Sequence, residues 1–369
     1  MAIRIGLLGA SRIARGAVIA PVRDNPDFEI VAVAARDPER ARAYAAEQGV
    51  PTVADSYEAL IRRDDVDLIY NALPPAGHRQ WTIAALEAGK DVLCEKPFAR
   101  NAAEARDMVA AAEASGRVLI EAFHYRFHNV MRAAVALAHE GALGRLRSLT
   151  AEFDAPIPRT PGELRWSAEQ GGGALMDLGC YPVHALRSIA GAEPEVVRAA
   201  GVFEDGVDAA MRADFAFPDG LTGAIACSMT APGFNAKLTV VGEKGAMEIV
   251  NFLAPQFGCR FTTTIDGVTR EHGVEGPSTY AAQLAHVAQV LAGKIPPLTG
   301  GADAVGNMAT IDAIYAAAGR EPVRRCSATP SSPGFAGRNR PHRPPPGRRG
   351  PTSRWLGRRR RRGCASVRP

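Results

Sequence analysis

Ile3-Arg4-Ile5-Gly6-Leu7-Leu8-Gly9-Ala10-Ser11-Arg12-Ile13-Ala14 opens the chain as an apolar run that stops at a glycine and passes into a helical pattern. The form is strand, tight turn, helix. Gly9-x-Ser11-x-x-Ala14 is a variant of the dinucleotide fingerprint, in which glycines let the backbone approach a pyrophosphate at a helix N-terminus. Ser11 replaces the middle glycine, so at this point a plain strand-to-helix turn competes on equal terms.

The next hundred residues favour the first reading. Residues 28–34 are a β-branched, apolar strand, and Asp37-Pro38 places an N-cap before a proline at the first helical position. Asp55 and Glu58 read as a capping box, 67–73 as a strand, and 78–88 as a helix. A short strand follows at 92–94. Asn101 and Glu104 read as a second capping box for a helix to about 114, and 118–122 reads as another strand. Strands alternating with helices predict a parallel sheet covered on both faces. Where an NAD enzyme would carry an acidic residue for the ribose, the second strand ends Ala34-Ala35-Arg36. A guanidinium suits a 2′-phosphate, which favours NADP over NAD; a solvated surface arginine is the competing reading.

Glu95-Lys96-Pro97 follows the strand at 92–94 and puts a charged pair at the carboxyl edge of the sheet, where open α/β folds bind ligands. After Phe123 the pattern changes. A helix over 129–140 precedes extended segments at 146–154, 196–203, 209–217, 222–230, 237–241, 247–251 and 260–265, separated by turns such as Pro218-Asp219-Gly220. They predict a largely antiparallel open sheet, with one face left for a partner subunit. Helices at 278–291 and 302–317 close this half. The fold class is therefore α/β, with an N-terminal Rossmann domain over 1–123 and a C-terminal α+β domain over 124–323. Within the second half, Gly171-Gly172-Gly173 permits close approach of a ligand or another backbone. Helical spacing then sets Asp177, Tyr181 and His184 on one side. Each taken singly reads more simply as a cap or a core residue.

The net charge of +5 divides unevenly. From Arg324 onward there are fourteen arginines and no acidic residue, which leaves 30 basic against 39 acidic groups before it. The acidic remainder argues against nucleic-acid binding. No apolar run is long enough for a membrane span, the N-terminus lacks signal-peptide character, and six scattered cysteines form no C-x-x-C pair, so a cytoplasmic location and no metal are expected. Residues 324–369, rich in Pro, Gly, Ser and Arg, read as an extraneous disordered tail, with a basic arm for nucleic acid or acidic surfaces and a product of the wrong reading frame as the competing readings of its origin.

With the Rossmann pattern, Glu95-Lys96-Pro97 and the 171–184 segment together, the sequence resembles the Gfo/Idh/MocA oxidoreductase family over residues 1 to about 323. Glu121-Ala122-Phe123-His124-Tyr125-Arg126-Phe127-His128 and Tyr181 resemble its branch of dihydrodiol and NADP-dependent D-xylose dehydrogenases. The resemblance implies hydride transfer between NADP and a carbinol or carbonyl carbon of a sugar, polyol or cyclic diol. Lys96 and Tyr181 would act together, with Asp177 orienting the site. Tyr181 stands where many members carry a histidine, and the Lys96 ammonium is expected to lower its pKa toward working pH. Gly9, Ser11, Arg12, Ile13, Arg36, Leu73, Pro74, His78, Glu95 and Lys96 would hold the cofactor. Arg165 and Trp166, with Arg126 and His184, would meet the substrate. A homodimer through the open sheet is expected. The family also offers a non-catalytic dinucleotide sensor and an NAD-dependent glycosidase as alternatives.

Overall fold

The computed structural model describes residues 1–320; the expected tail at 324–369 lies outside the described residues. The first sheet is built from β1 (Ile3–Leu8), α1 (Arg12–Ala14), α2 (Ala20–Arg23), β2 (Phe28–Ala34), α3 (Pro38–Gln48), β3 (Thr52–Val53), α4 (Tyr57–Ile61), β4 (Leu68–Asn71), α5 (Pro75–Glu87), β5 (Asp91–Cys94), α6 (Ala102–Ser115) and β6 (Leu119–Glu121). Its six strands run in parallel in the order β3-β2-β1-β4-β5-β6. The order reverses between β1 and β4, and this is the switch point where such sheets open a crevice. Near-continuous burial of β1, β4 and β5 follows from helices on both faces.

The helix after β1 is interrupted. A π turn at Arg15–Ile19 joins α1 to α2, and Pro21 stands just inside α2. Proline lacks an N–H and crowds the carbonyl four residues back, so the helix widens upstream of it. Ser56, not Asp55, caps α4: its hydroxyl accepts from the Ala59 N–H at 3.0 Å. A serine with extended backbone meets the third amide directly, which leaves Asp55 one residue too early. Asn101 caps α6 as expected, while the Glu104 carboxylate turns to the Arg100 guanidinium.

The second sheet follows α7 (Asn129–His139). It comprises β7 (Leu146–Asp154), and, after α8 (Cys180–Ala190), β8 (Glu195–Glu204), β9 (Val207–Ala216), β10 (Thr222–Ser228), β11 (Asn235–Gly242), β12 (Gly245–Val250), β13 (Arg260–Ile265) and β14 (Val268–His272). The order is β14-β13-β12-β11-β7-β10-β9-β8, antiparallel except that β7 and β10 run in parallel. α9 (Thr279–Leu291) and α10 (Gly301–Ala317) come last, and α10 packs against α6, α8 and β8. One face of the sheet is covered by α8. Val197 and Val202 of β8 and Val268 of β14, on the two edge strands, are exposed.

Candidate active site

Two connected cavities follow the switch point. The larger, about 540 Å³, is bordered by Gly9, Ser11, Arg12, Arg36, Arg40, Leu73 and Pro74, with Thr160–Leu164 from the second half closing it. Gly9 adopts φ +98°, and a Cβ there would press on the Leu73 side chain and the Ala72 carbonyl. Only glycine suits this turn. Ser11 caps the helix by accepting from the Ala14 N–H. Arg36 makes no ion pair among the described residues, whereas Arg40 donates to the Ala10 carbonyl at 2.8 Å. A glycine turn opening a helix, with a free guanidinium at the end of β2, fits a phosphorylated dinucleotide.

The smaller cavity, about 210 Å³, shares Ser11, Arg12, Leu73 and Pro74 with the first and adds Ile13, Glu95, Lys96, Pro97, Arg165 and Asp177. Lys96 Nζ donates to Asp177 Oδ1 at 2.8 Å and to the Asp177 carbonyl at 2.9 Å. Arg165 Nε lies 3.0 Å from Asp177 Oδ2, so one carboxylate holds two cations. A π turn at Leu175–Gly179 carries Asp177, and Pro182 stands at the start of α8. The i+5 partner that a π turn would offer the Asp177 carbonyl is Pro182, which has no N–H; the lysine ammonium donates to that carbonyl instead.

Burial acts against charge on both partners, and pairing outweighs it. Burial alone would lower Lys96, but Asp177, Cys180 and Glu95 hold its pKa above the ordinary value. Burial alone would raise Asp177, but Lys96 and Arg165 hold it below. The carboxylate of Glu95, at the cavity border, is already engaged: Tyr70 OH donates to its Oε1 at 2.5 Å and the Lys96 N–H to its Oε2 at 3.2 Å. Burial raises the Glu95 pKa.

The ammonium of Lys96 lies 5.0 Å from the Tyr181 ring centroid, over the ring and not at the hydroxyl. The expectation that it lowers the tyrosine pKa is overturned. Burial, with Tyr280 and Cys180 adding to it, pushes the phenol well above its ordinary value. The lysine charge is already met by Asp177, and Phe123, Tyr125 and Phe153 pack edge-on around the phenol. Tyr181 is 5 % exposed, and its oxygen lies 3.2 Å from His124 Nε2.

Four other expected residues stand elsewhere. His78 is fully buried, bridging the Leu73 carbonyl (2.7 Å) and the Pro97 carbonyl (2.9 Å); it braces the cavity wall and does not open onto it. His184 is 1 % exposed, between the Tyr125 hydroxyl (2.6 Å) and Asp303 (3.0 Å), so both ring nitrogens are taken. Trp166 donates its indole N–H to the Ile157 carbonyl and carries Arg159 over its ring at 4.1 Å; its neighbour Arg165 enters the cavity. Arg126 lines a separate groove with Arg132 and His286 and borders neither cavity of the crevice, while His124 of the same 3-10 turn, His124–Phe127, meets Tyr181. Unforeseen from sequence are Glu163, which pairs with Arg12 at 3.1 Å across the cleft, and His124 with Thr279. His124 lies within the Glu121–His128 stretch that carries the family resemblance, just past the carboxyl end of β6, but no role followed for it from the sequence.

A Rossmann crevice lined for phosphate and ending at a lysine–aspartate pair is the architecture of a nicotinamide-dependent oxidoreductase. Residues 3–123 match the model of the oxidoreductase family with an NAD-binding Rossmann fold, and residues 131–248 match the GFO/IDH/MocA C-terminal domain. D-xylose 1-dehydrogenase (NADP(+)) 2 of Haloferax volcanii is 33% identical over 317 residues, 85% of this chain and 96% of that one. Trans-1,2-dihydrobenzene-1,2-diol dehydrogenase of Mus musculus is 37% identical over 258 residues, 69% of this chain and 77% of that one. A 3-ketoreductase from Actinomadura kijaniata, solved with NADP and TDP-benzene, superposes with a TM-score of 0.79 at 27% identity, covering 87% of this chain and 99% of that one. The chain belongs to the Gfo/Idh/MocA oxidoreductase family.

Proposed function

We propose that the chain is an NADP-dependent dehydrogenase or reductase acting on a carbinol or carbonyl carbon of a sugar, polyol or cyclic diol. The observation that carries this is the Lys96 ammonium, held by Asp177 at the inner end of the dinucleotide crevice and stacked over Tyr181. The names of the relatives support both the cofactor and the substrate class. Gly9, Ser11 and Arg12 hold the pyrophosphate, and Arg36 binds the 2′-phosphate. The bound nicotinamide supplies or accepts the hydride. Lys96 polarises the substrate oxygen, Asp177 fixes the lysine, and Tyr181 carries the proton. Arg165, beside Asp177, meets the substrate hydroxyls.

Residues 1–123 serve as the cofactor domain and 124–323 as the substrate domain. Two copies pair through the open face of the second sheet, whose edge strands β8 and β14 expose Val197, Val202 and Val268. Among the described residues no helix is long and apolar enough to cross a membrane, and four cysteines are free thiols, which suits a reducing cytoplasm. The test is a screen of aldoses, inositols and trans-dihydrodiols for reduction of NADP against NAD, followed by nicotinamide absorbance. Turnover with NADP is the expected result. Tight cofactor binding without turnover across the panel would instead favour a dinucleotide sensor.

A further inference from the structure

Behind Tyr181 runs a chain of polar contacts that ends inside the protein. His124 Nε2 is 3.2 Å from the phenolic oxygen, and His124 Nδ1 is 2.9 Å from Thr279 Oγ1. Gln256 fixes the far end: its Nε2 donates to Thr279 Oγ1 at 3.4 Å, and its Oε1 accepts from the Thr279 N–H at 3.5 Å. With Oε1 turned to the backbone N–H, which can only donate, the Nε2 end of the amide faces the hydroxyl.

Thr279 is fully buried, and among the described residues the one hydrogen-bond acceptor beside its hydroxyl proton is His124 Nδ1. A neutral imidazole accepts from only one of the two hydroxyls. Thr279 is fully buried with no other acceptor among the described residues, whereas Tyr181 lies beside the Lys96 ammonium, where a substrate oxygen can accept, so the Thr279 hydroxyl donates to Nδ1. That nitrogen then carries no hydrogen. Burial and the Lys96 charge keep the imidazole neutral, with a pKa of about 3, so its single proton is on Nε2. Nε2–H donates to the Tyr181 oxygen. The phenolic proton has no protein acceptor among the described residues.

We propose that His124 is a positioning residue: Thr279 holds it in the Nε2–H tautomer, it donates to the Tyr181 oxygen, and the phenolic proton is thereby left for the oxygen of the substrate. The inference rests on the reading of Tyr181 as proton carrier. In the reductive direction a hydride from the reduced nicotinamide forms the new C–H bond, and the carbonyl π pair moves to oxygen. That oxygen takes the phenolic proton. The phenolate left behind keeps the hydrogen bond from His124 until water reprotonates it, and oxidation runs the same step backwards. A donor at the oxygen thus does for the phenolate what the lysine, engaged by Asp177, does not.

Two measurements decide it. In a long-range nitrogen–proton NMR spectrum of the full chain with labelled histidine, the signal that disappears in His124→Gln is expected to show the Nε2–H tautomer; the Nδ1–H tautomer overturns the proposal. In kinetics, Thr279→Val is expected to lower kcat by about tenfold with the KM for NADP unchanged, while Thr279→Ser restores it. Unchanged kcat in Thr279→Val overturns the proposal. Tyr181→Phe separates the two levels: if it retains full turnover, the assignment of Tyr181 fails, whereas loss of turnover there with normal Thr279→Val kinetics sinks only the role of His124.

Discussion

Lys96 and Asp177 lie 81 residues apart in sequence, yet the ammonium of one donates to both the carboxylate and the backbone carbonyl of the other. The pair joins the end of the first sheet to the π turn before α8, so the lysine is held from both halves of the chain.

Lys96→Met should keep NADP binding and lose most turnover, on the order of 10²–10⁴ in kcat. Asp177→Asn should act differently. With the carboxylate gone, burial is no longer outweighed, the lysine deprotonates more readily, and the alkaline limb of the kcat–pH profile moves to lower pH. Nicotinamide-fluorescence titration with steady-state kinetics separates binding from turnover in both variants.

Arg36→Ala should weaken NADP and leave NAD nearly untouched. A charge-assisted phosphate contact of about 1.5–3 kcal/mol corresponds to roughly 10- to 150-fold in kcat/KM for NADP. Equal loss with both cofactors would place the 2′-phosphate elsewhere.

Asp303 lies between His184 and Arg187. Burial would raise its pKa, but those partners bring it down to about 2. A lowered carboxylate stabilises the fold fully above its unfolded pKa near 3.9, and the contribution disappears as pH falls toward 2. Asp303→Asn should therefore lose at most about 2 kcal/mol at neutral pH, discounted for partial exposure, and the deficit should shrink between about pH 4 and pH 2. Urea melts of both proteins across that window check it.

Gly173→Ala should be severely destabilising. Its φ is +125°, and a Cβ would come within 2.2 Å of Asp208 Oδ1, an oxygen that also accepts from the Tyr315 hydroxyl. Strain of about 1–3 kcal/mol adds to the displaced hydrogen bond. A Tm close to that of the unaltered protein would contradict this.

Periodicity located the strands because each buries one or both faces, and β7 and β13 begin and end where expected. β3 and β14 were missed, because Thr52–Val53 is too short to show a period and the Val268–His272 edge strand is largely exposed and carries no apolar alternation. The parallel pairing of β7 with β10 was not legible either, since alternation tells which face is buried but not which strand is the neighbour. Motifs pointed to Gly9, Arg36, Lys96 and Asp177, all of which border the cavities. His78 and His184 were misplaced for one reason: a histidine in a motif looks the same whether its nitrogens meet a ligand or backbone and side-chain partners already in the fold. Tyr181 was found, but its burial among Phe123, Tyr125 and Phe153 depends on tertiary packing that spacing does not encode.

The central place of β7 in the second sheet has a temporal meaning. Its neighbours, β10 and β11, begin at Thr222 and Asn235, so the strand cannot be paired until some seventy or more later residues have been synthesised. Every strand of the first sheet is complete by Glu121. As the chain leaves the ribosome, N-terminal units fold first. The lysine is thus set beside its sheet while its aspartate is still in an unfinished second half, and the crevice at the switch point precedes the lysine–aspartate pair in the life of each molecule.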